Sequence, residues 1–505
     1  MHPARRPVLL GLATAGLASF GRPARAQPSE LVVSQFAETR DLAAIDPFRS
    51  LDFTIPNSLA FDRLMNRDAE GSLVPGLATA WMRLAPDVWR LTIREGVRFH
   101  DGSPLTAADV AATLSYALDP ANRSGLRAQL QPLLRAEADG AGAVLLHTAG
   151  PSALLPEIIA AAPILPAAQL TDPAAPFRTQ PIGSGPWRLA EWRQGERLVF
   201  VATGQHWRLP APGYPRVTVR AVPEASTRVA DLLSGGAGIA ADIPPALAAR
   251  VARGGARLLA QPGARTNYLS FLFRPPFDDA RVRQAVHHAI DRQAYVDTLW
   301  GGDLAEPATG AVSRRIGGYV PAFPLGDYDP ARARALLQQA GLRLPVSVEF
   351  DAPPTELVAA QVLQAQLNAA GFDVRINPVE SPAAMLDPQR LARSERGRMW
   401  MITALDNHAQ DAIRPYSAFY SGANFLNATV GYDTDPRLPP LLAAYAAAEP
   451  AERRLAASEA LMAVARESMP VVFLAYPRAM YGLAAGVEMP PTTLGHLDFA
   501  ALRPR

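Results

Sequence analysis

A chain of 505 residues that is 49% hydrophobic, with 48 prolines spread along it, can bury about three domains' worth of core and has no single long linker. It contains no cysteine, which excludes a disulfide framework, a thiolate metal site and a lipid anchor on an N-terminal cysteine. All 49 basic residues are arginine, so neither a phosphate-loop nucleotide site nor a lysine Schiff base can be built, and a net charge of +2 with both signs interspersed excludes nucleic acid as a partner.

Met1 to Arg6 is short and basic, Pro7 to Phe20 is apolar, and Ala24-Arg25-Ala26 precedes Gln27. Residues 1–26 therefore read as an export signal cleaved near Ala26, the apolar run being shorter than the about 20 residues a membrane span needs. Arg5-Arg6 leaves the twin-arginine and the ordinary secretory routes both open. Export without a lipid anchor predicts free diffusion in a Gram-negative periplasm.

Leu31–Phe36 predicts a strand, Asp46-Pro47 a turn and Asn57–Met65 a helix. Trp89, Leu91 and Ile93 alternate with Arg90, Thr92 and Arg94, the period of a strand with one face buried. After the turns at Glu95-Gly96 and Asp101-Gly102, Thr106 with Asp109 forms a weak capping box for a helix that Asp119-Pro120 stops. Residues 143–147, 187–201 and 216–222 predict strands, with Gly183-Ser184-Gly185-Pro186 as a tight turn, and Glu224–Leu233 predicts a helix.

In the later half Asp278 or Asp279 caps one helix, Asp291 opens another that stops at Gly301-Gly302, and Asp329-Pro330 starts a third. Val346, Val348 and Phe350, then Thr355–Ala370, then Phe372, Val374 and Ile376 read as a βαβ unit with parallel strands. The fold class is therefore α/β with mixed sheets covered by helices.

The run REGVRFHDGSPLTAADV resembles the signature of the extracytoplasmic solute-binding proteins of family 5, the peptide, dipeptide and nickel-chelate receptors of ABC importers. The similarity continues in order through IDPFRS, GSLVPGLATAWMRL, IGSGPWRLAEWRQGERLVF, FDDARVRQAVHHAIDRQAYVDTLWGG and YDPARARALLQQAGL, covering about Leu31 to Arg505. It implies a two-lobed periplasmic binding protein-like fold with two hinge crossings. Lobe one takes residues 27–265 plus 476–505, with an extra subdomain at about 56–179, and lobe two takes 266–475.

The resemblance also implies where ligand is met. Within residues 399–424, Asp406 occupies the place of an aspartate that pairs with a peptide ligand's α-ammonium, and Thr403 replaces an aromatic residue, with Trp400 displaced from that place. Asn407 adjoins it, and Asp406 with Asn407 also fits a plain Asx turn. Phe53 and Thr54 in the segment Leu51–Thr54, and Asn424, are further candidates to line the cleft.

Chemistry elsewhere has plainer readings. His100-Asp101 reads as turn chemistry, and His287-His288 point about 100° apart on a helix and cannot share a metal. No HExxH spacing and no nucleophile elbow is present, so neither a catalytic residue nor a metal site is expected. The function expected is a monomeric receptor, without cofactor, that closes on an oligopeptide, dipeptide or related small solute and delivers it to permease subunits in the inner membrane. Closure needs ~5 kcal/mol of differential binding. A nickel-chelate or opine-like ligand stays open, as do a secreted peptidase and a periplasmic sensor.

Overall fold

The computed structural model describes residues 30–35, 46–48, 55–68, 70–172, 176–320, 328–405, 407, 409–422, 430–490, 492, 495 and 497–505. Two mixed sheets organise them. One has seven strands in the order Arg257–Gln261, Ala479–Leu483, Ile239–Ala240, Glu30–Gln35, Arg216–Ala221, Arg197–Ala202 and Trp187–Arg193. The other has six: Ala305–Pro307, Val472–Pro477, Thr266–Phe271, Arg398–Leu405, Val346–Ala352 and Phe372–Pro378. Both contain parallel and antiparallel pairs, as the α/β pattern predicts.

The chain passes between these sheets twice. Residues 262–265 lead from Gln261 into Thr266, and Arg478 alone separates Pro477, still paired with Ala305, from Ala479, already paired with Gln261. The two passages lie side by side because Gly263 has no side chain: a Cβ there would sit 2.9 Å from the Pro477 carbonyl oxygen.

Alternation drives a separate sheet of four strands, Ala78–Ala85, Val88–Ile93, Ala143–Thr148 and Leu133–Asp139. Trp89, Leu91 and Ile93 are buried while their neighbours are half-exposed, and helix Ala107–Leu118 covers the sheet through Val110 and Leu114. Asp109 anchors that helix, one carboxylate oxygen accepting from the Thr106 amide at 2.8 Å and from its hydroxyl at 2.7 Å.

Aspartates also set the later helices. Asp279, Asp291 and Asp329 each accept a hydrogen bond from a first-turn amide of helices Ala280–Ala289, Arg292–Trp300 and Pro330–Gln339. The βαβ unit forms as expected: Val346–Ala352 runs parallel to Phe372–Pro378, joined through helix Leu357–Ala369. These helices pack on one face of the six-stranded sheet, over Leu269, Phe271, Phe350, Met399 and Met401.

One expected element is corrected. The helix predicted over Asn57–Met65 covers only Ile55–Ala60, and Met65–Arg67 is extended. Backbone groups at 63–65 are taken by other segments instead: Leu77 N donates to Arg63 O, Ala78 N to Leu64 O, and Met65 N to Ala160 O.

Candidate functional site

Of the six residues expected at the ligand, Phe53, Thr54, Asp406 and Asn424 lie outside the described residues, and Trp400 and Asn407 are described. Trp400 sits in strand Arg398–Leu405 and is fully buried. Its strand neighbours Met399 and Met401 pack under the helices, whereas Trp400 joins the apolar cluster that also contains Leu31, Val33 and Val219 of the seven-stranded sheet. Trp400 thus faces the junction of the two sheets.

Register extends this position into a row. Asn377, Asp351, Trp400 and Ser270 are successive partners across four adjacent strands, so their side chains share one face. The buried Asp351 carboxylate accepts from Asn377 Nδ2 at 3.3 Å and Arg398 Nη1 at 3.2 Å, and its other oxygen lies 2.8 Å from Arg390 Nη2. At the other end of the row, Trp400 Nε1 and Ser270 Oγ are buried with no hydrogen-bond partner among the described residues, and Arg390 Nη1 is likewise unpartnered among them. Buried donors in this condition suit an acceptor such as water or a ligand oxygen.

Asn407 opens the turn that follows the strand. Its Nδ2 donates to Asp411 O at 2.9 Å, its Oδ1 accepts from Asp411 N at 3.4 Å, and its carbonyl accepts from the Gln410 backbone and side chain. The amide therefore shapes the loop itself, the local role that the Asx reading describes.

The turn is pinned by residues the sequence did not mark. Asp411, 3% exposed, accepts at Oδ1 from Tyr445 Oη at 2.6 Å and from Ile413 N at 2.9 Å, with Arg454 3.8 Å from Oδ2. Burial pushes the Asp411 carboxyl up, against the hydrogen bonds that pull it down. Gly317 and Gly318 let this side approach closely; a Cβ on Gly318, whose φ is +79°, would lie 2.1 Å from Tyr445 Oη.

From the far side of the junction comes Arg67. Its Nη2 donates to the Ala409 carbonyl at 2.7 Å and to Glu157 Oε2 at 2.6 Å, while Nη1 donates to Gly71 O at 2.8 Å. The four-stranded sheet's neighbourhood adds Ala153 N to Ala446 O at 2.8 Å. The only sequence signal for this cluster is the Asn407-to-Asp411 spacing, since Arg67 and Glu157 belong to no motif.

Other polar candidates are structural. His100 Nε2 lies 2.9 Å from Gly185 O, and His287 Nδ1 takes a 2.8 Å hydrogen bond from Arg292. Gly183 and Gly185 pack against the chain at Leu59–Ala60, with Gly185 N donating to Ala60 O at 2.9 Å, and a Cβ at Gly183 would sit 1.9 Å from Ala60 O; the segment is irregular with a bend at 185–186, in place of the tight turn expected. Among the described residues no cluster of three or more His, Asp or Glu side chains could hold a metal, and no helix is long and apolar enough to cross a membrane.

The glutathione-binding protein GsiB of Escherichia coli O1:K1 is 28% identical to this chain over 434 residues, covering 83% of this chain and 82% of its own length. GsiB of Salmonella typhi is 29% identical over 348 residues, 67% of each chain. Among solved structures, the periplasmic binding protein DppA of Helicobacter pylori in complex with peptide STSA superposes with a TM-score of 0.81 at 20% identity, over 94% of this chain and 98% of that one. The periplasmic binding protein AgaA of A. tumefaciens R10 in complex with agropinic acid gives 0.80 at 24% identity, over 94% and 99%. The model of bacterial extracellular solute-binding proteins, family 5 Middle, matches residues 72–427. With the sheets, the double passage and that match in place, this chain belongs to the family 5 bacterial extracellular solute-binding proteins, a family of binding proteins and not of enzymes.

Proposed function

We propose that the protein is the periplasmic receptor of an ABC importer, closing two lobes about the paired passages on a short peptide or glutathione-like solute. The observation that carries the ligand class is the pair of buried donors without an acceptor among the described residues, Trp400 Nε1 and Ser270 Oγ, on the sheet face that looks toward the junction. Together with Arg390 Nη1 they suit carboxylate or peptide carbonyl oxygens. Asp406 takes the α-ammonium, a pairing strengthened when closure excludes water. Phe53, Thr54 and Asn424 complete the wall, and Asn407 holds the loop that presents Asp406. The similarity to GsiB over most of both chains supports a glutathione-sized guest.

Calorimetric titration of the signal-free protein with reduced glutathione, Met-Leu, agropinic acid and Ni(L-His)2 tests this reading. Binding of reduced glutathione or the dipeptide is expected, with the ligand recovered intact. Trp400→Phe keeps the ring, removes the donor, and weakens that binding by about 1 kcal/mol, roughly fivefold. Binding of Ni(L-His)2 alone, or cleavage of any peptide, overturns the assignment.

A further inference from the structure

Arg67 makes a bond that a residue holding only its own lobe together would not need. Its side chain is 6% exposed, and the Ala409 carbonyl it reaches is on a residue 1% exposed in the turn between Asn407 and Asp411. The two residues are 342 positions apart and belong to opposite sides of the junction. Glu157 and the Gly71 carbonyl occupy other donors of the same guanidinium, so they aim it at Ala409 before the turn arrives.

Resting on the receptor reading above, we infer that Arg67 is a positioning residue acting across the cleft: it fixes the turn that follows Asp406 to lobe one and so couples lobe closure to the placing of the ligand-binding loop. The carbonyl at Ala409 needs a donor once buried. Arg67 supplies a charge-assisted one only in the closed arrangement, so closing and setting the loop occur together. A closed state populated before ligand arrives lowers the ordering that binding must drive. Asp411 completes the arrangement from lobe two, where Tyr445 and the Ile413 amide hold the turn's other end.

The chain has no cysteine, so spin labels can be placed cleanly on Ala138→Cys and Glu459→Cys, both exposed and on opposite sides of the junction. Double electron–electron resonance on ligand-free protein is the measurement, and it needs no knowledge of the ligand, so it stands or falls apart from the peptide assignment. In the labelled wild type a short-distance population is expected. Arg67→Met, which keeps length and apolar stem, and Arg67→Gln should each lose most of that population to longer distances. Arg135→Gln, an exposed arginine within the four-stranded sheet, should leave it unchanged. A folded Arg67→Met or Arg67→Gln protein whose distance distribution superimposes on the wild type overturns the inference, as does an equal shift in Arg135→Gln.

Discussion

Tyr445 donates its phenolic hydrogen to Oδ1 of Asp411 at 2.6 Å, tying helix Leu438–Ala447 to the turn that follows strand Arg398–Leu405. Both groups are shifted in the same sense by burial, which pushes the Asp411 carboxyl and the Tyr445 phenol up. Tyr445→Phe leaves a buried carboxylate short of a donor, and a loss of about 1–3 kcal/mol in urea unfolding is expected. Combining it with Asp411→Asn should recover part of that loss. Purely additive losses in the double-mutant cycle would show that the two side chains do not interact.

Gly318 has no room for a side chain. Its positive φ and the 2.1 Å approach that a Cβ would make to Tyr445 Oη give two separate penalties to Gly318→Ala. Destabilisation above about 2 kcal/mol is expected by denaturant unfolding, larger than for Gly142→Ala, where a Cβ meets nothing within 4 Å. Equal effects at the two glycines would contradict the packing at Tyr445.

Glu157 titrates against the common trend. Burial pushes its carboxyl up, opposed by the Arg67 guanidinium, with Asp411 and Arg454 adding smaller pulls of opposite sign. A folded value above the unfolded one means the folded protein holds the proton more tightly. Its stabilising effect is thus fully present below the unfolded value of about 4.3 and lost as pH rises through the folded value. Asp279 and Asp435 go the other way: Arg281 and Arg437 hold them down, so their contribution is lost as pH falls through their folded values. The stability of the wild type relative to Glu157→Gln, measured by urea unfolding, should therefore improve as pH falls from neutral toward the unfolded value of about 4.3. A difference that narrows over this interval refutes the desolvation account.

Asp406 is the expected partner of an α-ammonium. Asp406→Asn should weaken binding of reduced glutathione or of a dipeptide by about 2–5 kcal/mol, and blocking the ligand's amine should cost the wild type a similar amount and the variant little. Undiminished calorimetric affinity in the variant would remove the aspartate from the site.

Local physics made much of the fold readable. The alternation of Trp89, Leu91 and Ile93, the aspartates at 279, 291 and 329, and the βαβ period between Val346 and Pro378 each act within a few residues, and each appears where expected. The Asn57–Met65 helix misled because its later residues are claimed by strands and loops distant in the chain, which no local pattern records. The same reason hid most of the site. Ser270, Asp351, Asn377 and Trp400 become neighbours only through strand register, and Arg67 meets Ala409 only when the whole chain has folded. The local Asx role of Asn407 was legible because it acts within its own turn.

A single residue, Arg478, forms the return passage, pressed beside Gly263 on the outward one. On the closure proposed above, two tethers so short and so close would leave the jaws a swing about one axis, with little freedom to slide or draw apart. The span between them would then be set by angle, and a guest too bulky for the allowed arc would be refused by leverage, whatever polar groups it offers.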